Sequence, residues 1–545
     1  MNFLIKTQKN KMKKLIFSAL VLVQLIMISL EGASGQVLSE NTFKLGRTLS
    51  LIDAYYVDTV NINTLTEKAI VAMLMSLDPH SSYISAKDVR EMNEPLLGNF
   101  EGIGIQFNIL HDSIVVVEPI KNGPAEKVGI KAGDRIVKIN DENVAGINIS
   151  TEGVRSRLMG PKGTKVDVTV YRKGQSQLFY FTITRDRIPI NSLDAAYMLN
   201  PETAYFKFNK FAATTEKEFI EKLTAMPVKS IKNVIIDLRG NPGGYMLAAV
   251  ALANHFLDGE KLVVFMEGRK TPREEFKSNG KGLLTNCNLV VLTDENSASA
   301  SEIFAGAIQD WDRGVIMGRR TFGKGLVQNG FYLNDGSQIR LTIARYFTPT
   351  GRSIQSPYNE GYQKYIENFL RRFRNGETLS ADSIKFIDSL KCSTLVTRRT
   401  VYGGGGIMPD VFVSEDTTYY SEYYAGLIRR SVFNSFALEY SDKNREKIMK
   451  TYKDFEDFKK KFTFSDEDIR WFIKMGEEAG VKYNESQFRI SHDHILKVLK
   501  ALVANNYWQT TEYFRIYNEG DRVIEKALML LANPAEYKKI LGYQN

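Results

Sequence analysis

Val234-Ile235-Ile236-Asp237-Leu238 runs straight into Arg239-Gly240-Asn241-Pro242-Gly243-Gly244, and Leu247, Val250, Ala251 and Phe256 follow at helical spacing. An unbroken apolar run of this length is the signature of a parallel strand buried on both faces. Leu262 to Phe265 and Leu289 to Leu292 repeat the strand signal, with helical segments between them. Strands alternating with helices in this way predict an α/β layer architecture.

Downstream of that unit, Asp294-Glu295-Asn296-Ser297-Ala298-Ser299-Ala300-Ser301-Glu302 precedes Ile303, Phe304, Ala307, Ile308 and Trp311, an apolar face at helical spacing. A strand ending at Leu292 and a helix beginning near Ser299 place small residues at a helix N-terminus, where free N–H groups and the helix dipole favour developing negative charge. A serine there is positioned to act as a nucleophile with its oxyanion held by neighbouring N–H groups. Serine is also a preferred N-cap, a role that needs no chemistry. Periodicity does not choose among the three serines. Further on, Thr321-Phe322-Gly323-Lys324-Gly325-Leu326-Val327-Gln328 sets a lysine between two glycines and beside apolar side chains. Burial would carry that ammonium down from its ordinary pKa of about 10.4 towards the neutral form a base requires. An exposed turn lysine is the plain alternative. A phosphate-binding P-loop is excluded, because Gly325 rather than Ser or Thr follows Lys324.

Upstream, from about residue 96 to 186, a second module has its own pattern. Gly102-Ile103-Gly104-Ile105 leads into a strand, Ser113 to Val117 forms another, and Gly123-Pro124-Ala125-Glu126-Lys127-Val128-Gly129-Ile130-Lys131-Ala132-Gly133-Asp134-Arg135-Ile136-Val137-Lys138-Ile139-Asn140 reads as turn, short helix, turn and strand. Val154 to Met159 reads as a short helix, and Val166 to Tyr171 and Leu178 to Ile183 as paired strands around Lys173-Gly174. This stretch resembles a PDZ domain of the bacterial, permuted kind. Glycines at 102 and 104 leave backbone N–H groups open to a peptide's terminal carboxylate, and the next strand can accept the tail as an added strand. On the loop alone, a glycine-permitted tight turn is the better reading; with the whole module present, carboxylate capture is.

The three core segments together, Asp237 to Gly244, Ser297 to Glu302 and Phe322 to Gln328, resemble the signatures of the C-terminal processing (tail-specific) serine peptidases. The order of modules agrees, and Gly403-Gly404-Gly405-Gly406-Ile407-Met408-Pro409-Asp410 is similar to the segment that closes the core in that family. The resemblance covers roughly residues 40–415. It implies a nucleophile at Ser299, a general base at Lys324, and Gln328 as the residue that orients the lysine. It implies oxyanion donors at the Ala300 N–H and at Gly243, with Gly244 inseparable from Gly243 by sequence. It implies tail binding by Gly102, Ile103, Gly104 and Ile105, with small or apolar substrate tails, and a PDZ module that helps gate the site. Arg135 reads either as a link from bound tail to site or as a solvated side chain.

A Ser-His-Asp alternative has His255 and Asp237 as its nearest candidates, although His255 reads as a packed or surface residue of an amphipathic helix. Cys287 reads as a core cysteine. Two other functions compete with the peptidase: a catalytically silent PDZ scaffold that binds protein tails, and a small-ligand carrier on a crotonase-like fold.

The chain has 545 residues, 43% hydrophobic and 25% charged, enough for roughly three or four domains. That balance excludes a disordered tail protein, a collagen-like fibre and a multi-span transporter. Two cysteines and five histidines leave little material for a metal cluster, and no cofactor is expected. The net charge is +9, of which residues 1–35 hold +4, so the remaining excess is mild and nucleic acid is not an expected partner. Lys6, Lys9, Lys11, Lys13 and Lys14, then the apolar run Leu15 to Leu30 and Ala33-Ser34-Gly35, read as a cleavable export signal. The expected location is therefore the periplasm or cell envelope, soluble or loosely membrane-associated.

The expected fold class is α/β: a crotonase/ClpP-like serine peptidase core, a small β-rich PDZ domain, an N-terminal helical segment and a C-terminal helical extension. The expected boundaries are 1–35 for the signal, 36–95 for a helical segment of structural role and 96–186 for the PDZ domain. The core follows over 187–415, with a charged insertion at 356–401, and the extension over 416–545. Within the extension, Ser465-Asp466-Glu467-Asp468 reads as a helix N-cap, and His492 and His494 as polar residues at the start of a later helix. The extension is expected to build a homo-oligomer interface, cover the site or dock an adaptor; the sequence does not decide. Expected partners are proteins or peptides with a free C-terminus.

Overall fold

A computed structural model describes residues 39–386 and 388–543, so the export signal expected over residues 1–35 lies outside the described residues. The described chain forms two compact units, one ending at Leu74 and the other beginning at Met75. The first consists of two helices, α1 (Glu40–Tyr55) and α2 (Ile62–Met75). The Ser39 hydroxyl caps α1 by accepting from the Thr42 N–H at 3.2 Å.

The second unit opens with a tight turn at Asp78-Pro79-His80, a strand β1 (Ser82–Ile84) and a helix α3 (Val89–Leu97). The stretch 36–95 is therefore not wholly helical: β1 joins a sheet of the core, because its partner strand lies far along the chain and left no local mark. Next come β2 (Asn99–Gly102), β3 (Ile105–Leu110), β4 (Ser113–Pro119), α4 (Pro124–Val128), β5 (Arg135–Ile139), β6 (Glu142–Asn143), α5 (Thr151–Leu158), β7 (Lys165–Tyr171), β8 (Phe179–Thr184) and β9 (Asp186–Pro189). β2 and β9 pair antiparallel, Gly102 opposite Asp186, and so bracket the module where the chain enters and leaves it. Inside the bracket the strand order is β3-β4-β5-β7-β8, with β6 on β5. The core of this module joins Ile114, Val116, Ile136, Val166 and Val168 to Val154 and Leu158 of α5. β3 is an edge strand.

The largest module contains β10 (Leu193–Asn200), β11 (Thr203–Phe208), α6 (Thr215–Thr224), β12 (Asn233–Asp237), α7 (Met246–Asn254), β13 (Leu262–Glu267), β14 (Glu274–Lys277), β15 (Asn288–Thr293), α8 (Ala300–Asp310), β16 (Val315–Gly318), β17 (Leu326–Tyr332), β18 (Gln338–Phe347), α9 (Tyr362–Arg374), β19 (Lys391–Ser393), β20 (Thr400–Tyr402) and β21 (Val411–Phe412). One sheet runs β10-β11-β12-β15-β16-β21, and every pairing from β11 to β21 is parallel. The apolar run at 234–238 is the middle of it. Val234 and Ile236 face Phe206, Phe219, Leu252 and Phe304 on one side, while Ile235 faces Tyr205, Val290 and Leu292 on the other. Both faces are dry, which is why the strand carries no polar alternation. A second, antiparallel sheet runs β1-β18-β13-β14 with β17 also on β18. The insertion at 356–401 holds α9 and the β19–β20 hairpin.

The extension is helical: α10 (Glu422–Arg429), α11 (Val432–Thr451), α12 (Phe455–Lys461), α13 (Asp466–Glu478), α14 (Glu485–Asn505), α15 (Thr510–Tyr517), α16 (Arg522–Leu531) and α17 (Pro534–Ile540). Ser465 caps α13 as its sequence suggests. His492 and His494 do not open a helix; Asn484 caps α14, and His494 lies well inside it, stacked on Tyr419 at 3.6 Å. α10 to α14 share a core rich in aromatic rings, including Phe433, Phe436, Phe458 and Phe472. The last helices do something else: Val523, Ile524, Ala527, Leu530 and Tyr537 cover the second face of the large parallel sheet. Arg135 is partly exposed and pairs with Asp442 of α11 at 3.0 Å.

Candidate active site

Three loops of the large module meet at the N-terminus of α8. The first follows β15. Ser297 is fully buried, its hydroxyl donating to the Leu238 carbonyl at 2.8 Å, and Ser301 is fully buried, donating to the Asn241 carbonyl at 3.0 Å. Those two serines tie the helix start to the β12 loop. Ser299 is the N-cap residue and is only half-buried, with φ 55° and ψ −113°. A serine held in that region stores about 1–3 kcal/mol of strain, which its surroundings must over-determine. The next N–H in the chain, that of Ala300, has no protein acceptor among the described residues.

The second loop is Arg239 to Gly244. Asp237 is buried and receives Tyr205 Oη at 2.7 Å, Lys207 Nζ at 3.2 Å and Arg239 Nη2 at 2.6 Å. Burial pushes its carboxyl up, but Arg239 and Lys207 outweigh burial and hold it well below the usual carboxylate range. Arg239 reaches on to Asp521 at 2.9 Å, so the cap of α16 braces this loop. The two glycines separate cleanly. A Cβ on Gly243 would lie 2.7 Å from Ser299 Cβ and 2.9 Å from the Ala300 nitrogen, whereas one on Gly244 would strike the Phe211 carbonyl oxygen at 2.0 Å. Gly243 therefore backs onto Ser299 and Gly244 onto Phe211. The Gly243 N–H donates to Asn241 Oδ1 at 2.9 Å, so of the two expected oxyanion donors only Ala300 is uncommitted in this state.

The third loop carries Lys324. Gly323 and Gly325 are packed too closely for side chains: a Cβ on the first would sit 2.3 Å from Ser356 Oγ and on the second 3.0 Å from the Gln355 nitrogen. Lys324 Nζ donates to Gln328 Oε1 at 3.0 Å. Burial lowers the lysine pKa, Arg340 adds to the effect, and Glu302 and Asp78 oppose it.

Glu302 joins the first loop to the third. Its carboxylate accepts from the Ser299 N–H at 2.8 Å, the Lys324 N–H at 2.9 Å, the Gly323 N–H at 2.7 Å and Thr321 Oγ1 at 2.6 Å. Burial raises its pKa to about 7 against the pull of those four donors. The Tyr346 hydroxyl adds a second tie, 3.0 Å from the Ser299 carbonyl oxygen and in hydrogen-bond contact with that of Lys324. Ser299, Lys324, Gln328, Gly243 and Ala300 thus come together. His255 and Asp237 do not: His255 pairs with Glu216 at 3.2 Å and packs on Phe219.

The residues expected to bind tails lie apart, in the β3 module. Gly104 has φ +76°, and a Cβ there would press to 2.9 Å on Ile188 Cδ1. The Ile103 carbonyl accepts from the Ala125 N–H and the Gly104 carbonyl from the Ile120 N–H, both at 2.9 Å, so the loop backbone is fixed beside the free edge of β3.

Comparison with known proteins gives the family of the chain. The model of peptidase family S41 matches residues 202–362, that of the PDZ domain matches 102–183, and one for a family of unknown function matches 423–509. The carboxy-terminal processing protease CtpA of Bacillus subtilis (strain 168) is 34% identical over 340 residues, which are 62% of this chain and 71% of that protein. The carboxy-terminal-processing protease of Bartonella bacilliformis is 35% identical over 58% of this chain and 74% of its own length. The chain belongs to the carboxy-terminal processing proteases of peptidase family S41. A solved photosystem II D1 C-terminal processing protease is 29% identical and covers 57% of this chain and 89% of its own, with a TM-score of 0.32. As a member of the family, the protein is a serine-type peptidase with a PDZ domain.

Four residues of the protease's site escape the sequence reading. Glu302 sits three positions after Ser299, the spacing of a capping box, and that signal was available. Tyr346 gave none. Asp78 and His80 lie in a stretch read as structural, yet the His80 backbone carbonyl accepts from Gln328 Nε2. Only contacts made across the sheet reveal them.

Proposed function

We propose that the protease is exported to the cell envelope, captures the free C-terminus of a protein on its PDZ domain, and hydrolyses peptide bonds by a Ser299/Lys324 dyad. Neutral Lys324 takes the hydroxyl proton of Ser299 as Oγ attacks the peptide carbonyl. The Ala300 N–H, free at the helix start, holds the oxyanion, and Gly243 contributes the second donor once it releases Asn241. The C–N bond then breaks, the Lys324 ammonium returns its proton to the leaving amine, and an acyl-enzyme remains. Water, deprotonated by the same lysine, attacks the ester and frees Ser299. Gln328 holds the amine in line throughout.

The observation that carries this reading is the Glu302 carboxylate, which binds the backbone N–H groups of Ser299 and Lys324 together in one buried site. The lysine-rich start of the chain with its apolar run supports export, and the free edge of β3 beside Gly102 to Ile105 supports tail capture. The test is cleavage of an unfolded protein carrying an apolar C-terminal tag, by the wild type and by Ser299→Ala and Lys324→Ala. Loss of cleavage in both variants, with tail binding retained, is the expected result. Tail binding without cleavage by the wild type would instead describe a silent scaffold.

A further inference from the structure

We propose that the Asp78–Ser81 turn is a positioning element of the lysine site, which fixes the Gln328 amide so that its oxygen faces Lys324 Nζ. The inference deepens the Ser/Lys reading and rests on it. A backbone carbonyl only accepts, so the atom of Gln328 that meets the His80 carbonyl is Nε2, and Oε1 is left to face the lysine. Were the amide reversed, its NH2 group would confront the ammonium, donor against donor.

The carbonyl of His80 is itself held firmly. Asp78 is buried, and its carboxylate accepts from the His80 N–H at 2.8 Å, the Ser81 N–H at 2.8 Å, Ser81 Oγ at 2.6 Å and Thr342 Oγ1 at 3.1 Å. Burial pushes this carboxyl up, but those hydrogen bonds outweigh it and keep it ionised. Thr342 is the register partner of Gln328, beside a bulge that leaves Ile343 of β18 outside the register, and Ser82 of β1 pairs with Arg340 on the other side of β18. Asp78, Thr342 of β18, Gln328 of β17 and Lys324 therefore form one chain of contacts. The His80 ring packs edge-on against Tyr365 of α9, its Nε2 3.1 Å from the tyrosine oxygen. Burial and the nearby Lys324 lower its pKa to about 4, so it adds no charge to the site at neutral pH.

The full-length protease is the subject of the test, with kcat and KM for a tail-tagged substrate measured across pH. Asp78→Ala is expected to lower kcat at least about tenfold with KM nearly unchanged, since the loss falls on positioning and not on tail binding. Thr342→Val removes one hydrogen bond to Asp78 and no charge. It is expected to lower kcat about threefold and to move the acid limb of kcat/KM to lower pH, because a loosened Gln328 oxygen no longer favours the ammonium form. The charges around Lys324 that set this limb, Glu302, Arg340 and Asp78, are untouched by that variant. Should Asp78→Ala fail to fold, Thr342→Val alone decides. An unchanged kcat, or a lowered kcat with an unmoved acid limb, overturns the proposal. Activity retained by Lys324→Ala would overturn the Ser/Lys reading instead, so the two failures are distinct.

Discussion

Ser299 holds φ 55° while its N–H is clamped by Glu302 and its carbonyl by Tyr346, so strain and restraint fall on one residue. The arrangement leaves almost no tolerance at Gly243, whose φ is +102° and whose missing side chain is the space Ser299 occupies. Gly243→Ala is expected to lower kcat by about a hundredfold or more, since it combines a strained backbone with a displaced nucleophile. Steady-state kinetics beside a thermal melt check this. A normal melting temperature with normal kcat would contradict the close packing described for this glycine. The neighbouring Gly244 faces Phe211, so alanine there is expected to cost folding stability first.

At the level of elements, the β-edge and the helix start divide the work. α8 brings an unbonded N–H to the serine, and β3 offers an unpaired strand edge next to the Gly102 to Ile105 loop. If that loop holds a terminal carboxylate, a peptide with an apolar tail should bind at least about tenfold more tightly with a free C-terminus than with an amide, by the loss of charge-assisted hydrogen bonds. Calorimetric titration of both peptides on the Ser299→Ala variant checks this, and equal affinities would remove the loop from the account. The elements differed in how far the sequence revealed them. The strand at 234–238 was legible because burial on both faces leaves Asp237 as its one polar residue. Ser299 was set apart from Ser297 and Ser301 only by the family resemblance, because all three are good caps and periodicity does not choose among them. Asp78-Pro79-His80 was legible as the end of a helical pattern, but its role and strand β1 were not, since their partners Thr342 and Arg340 lie far away in the chain.

Across the whole second unit, the C-terminal helices act as a brace. Apolar residues of α16 predict burial but not the surface that buries them, so their place on the large sheet could not be read from the sequence. α11 turns a ring-lined face inward and sets Glu439, Asp442 and Arg445, each three positions apart, towards the PDZ domain. Asp442 meets Arg135, His111 approaches Glu439 at 3.9 Å, and Glu118 lies in the field of Arg445. Such pairs contribute about 1 kcal/mol or less each. Arg135→Asp is expected to speed proteolytic cutting at the ends of the PDZ domain by about two- to fivefold, and the swap Arg135→Asp with Asp442→Arg to restore the wild-type rate. Time courses of limited proteolysis at low and high salt check this. Equal rates in all three proteins would mean that this ion pair does not hold the domain.

The dyad itself is best tested by the rate at which a fluorophosphonate phosphonylates Ser299, with loss of fluoride, followed by intact mass from about pH 5 to about pH 10. Burial lowers the Lys324 pKa, so in the wild type the rate should climb tenfold per pH unit and level off below the ordinary lysine value of about 10.4. Lys324→Ala should react about a hundred- to ten-thousandfold more slowly, with no such climb. Wild-type labelling in Lys324→Ala would contradict the account.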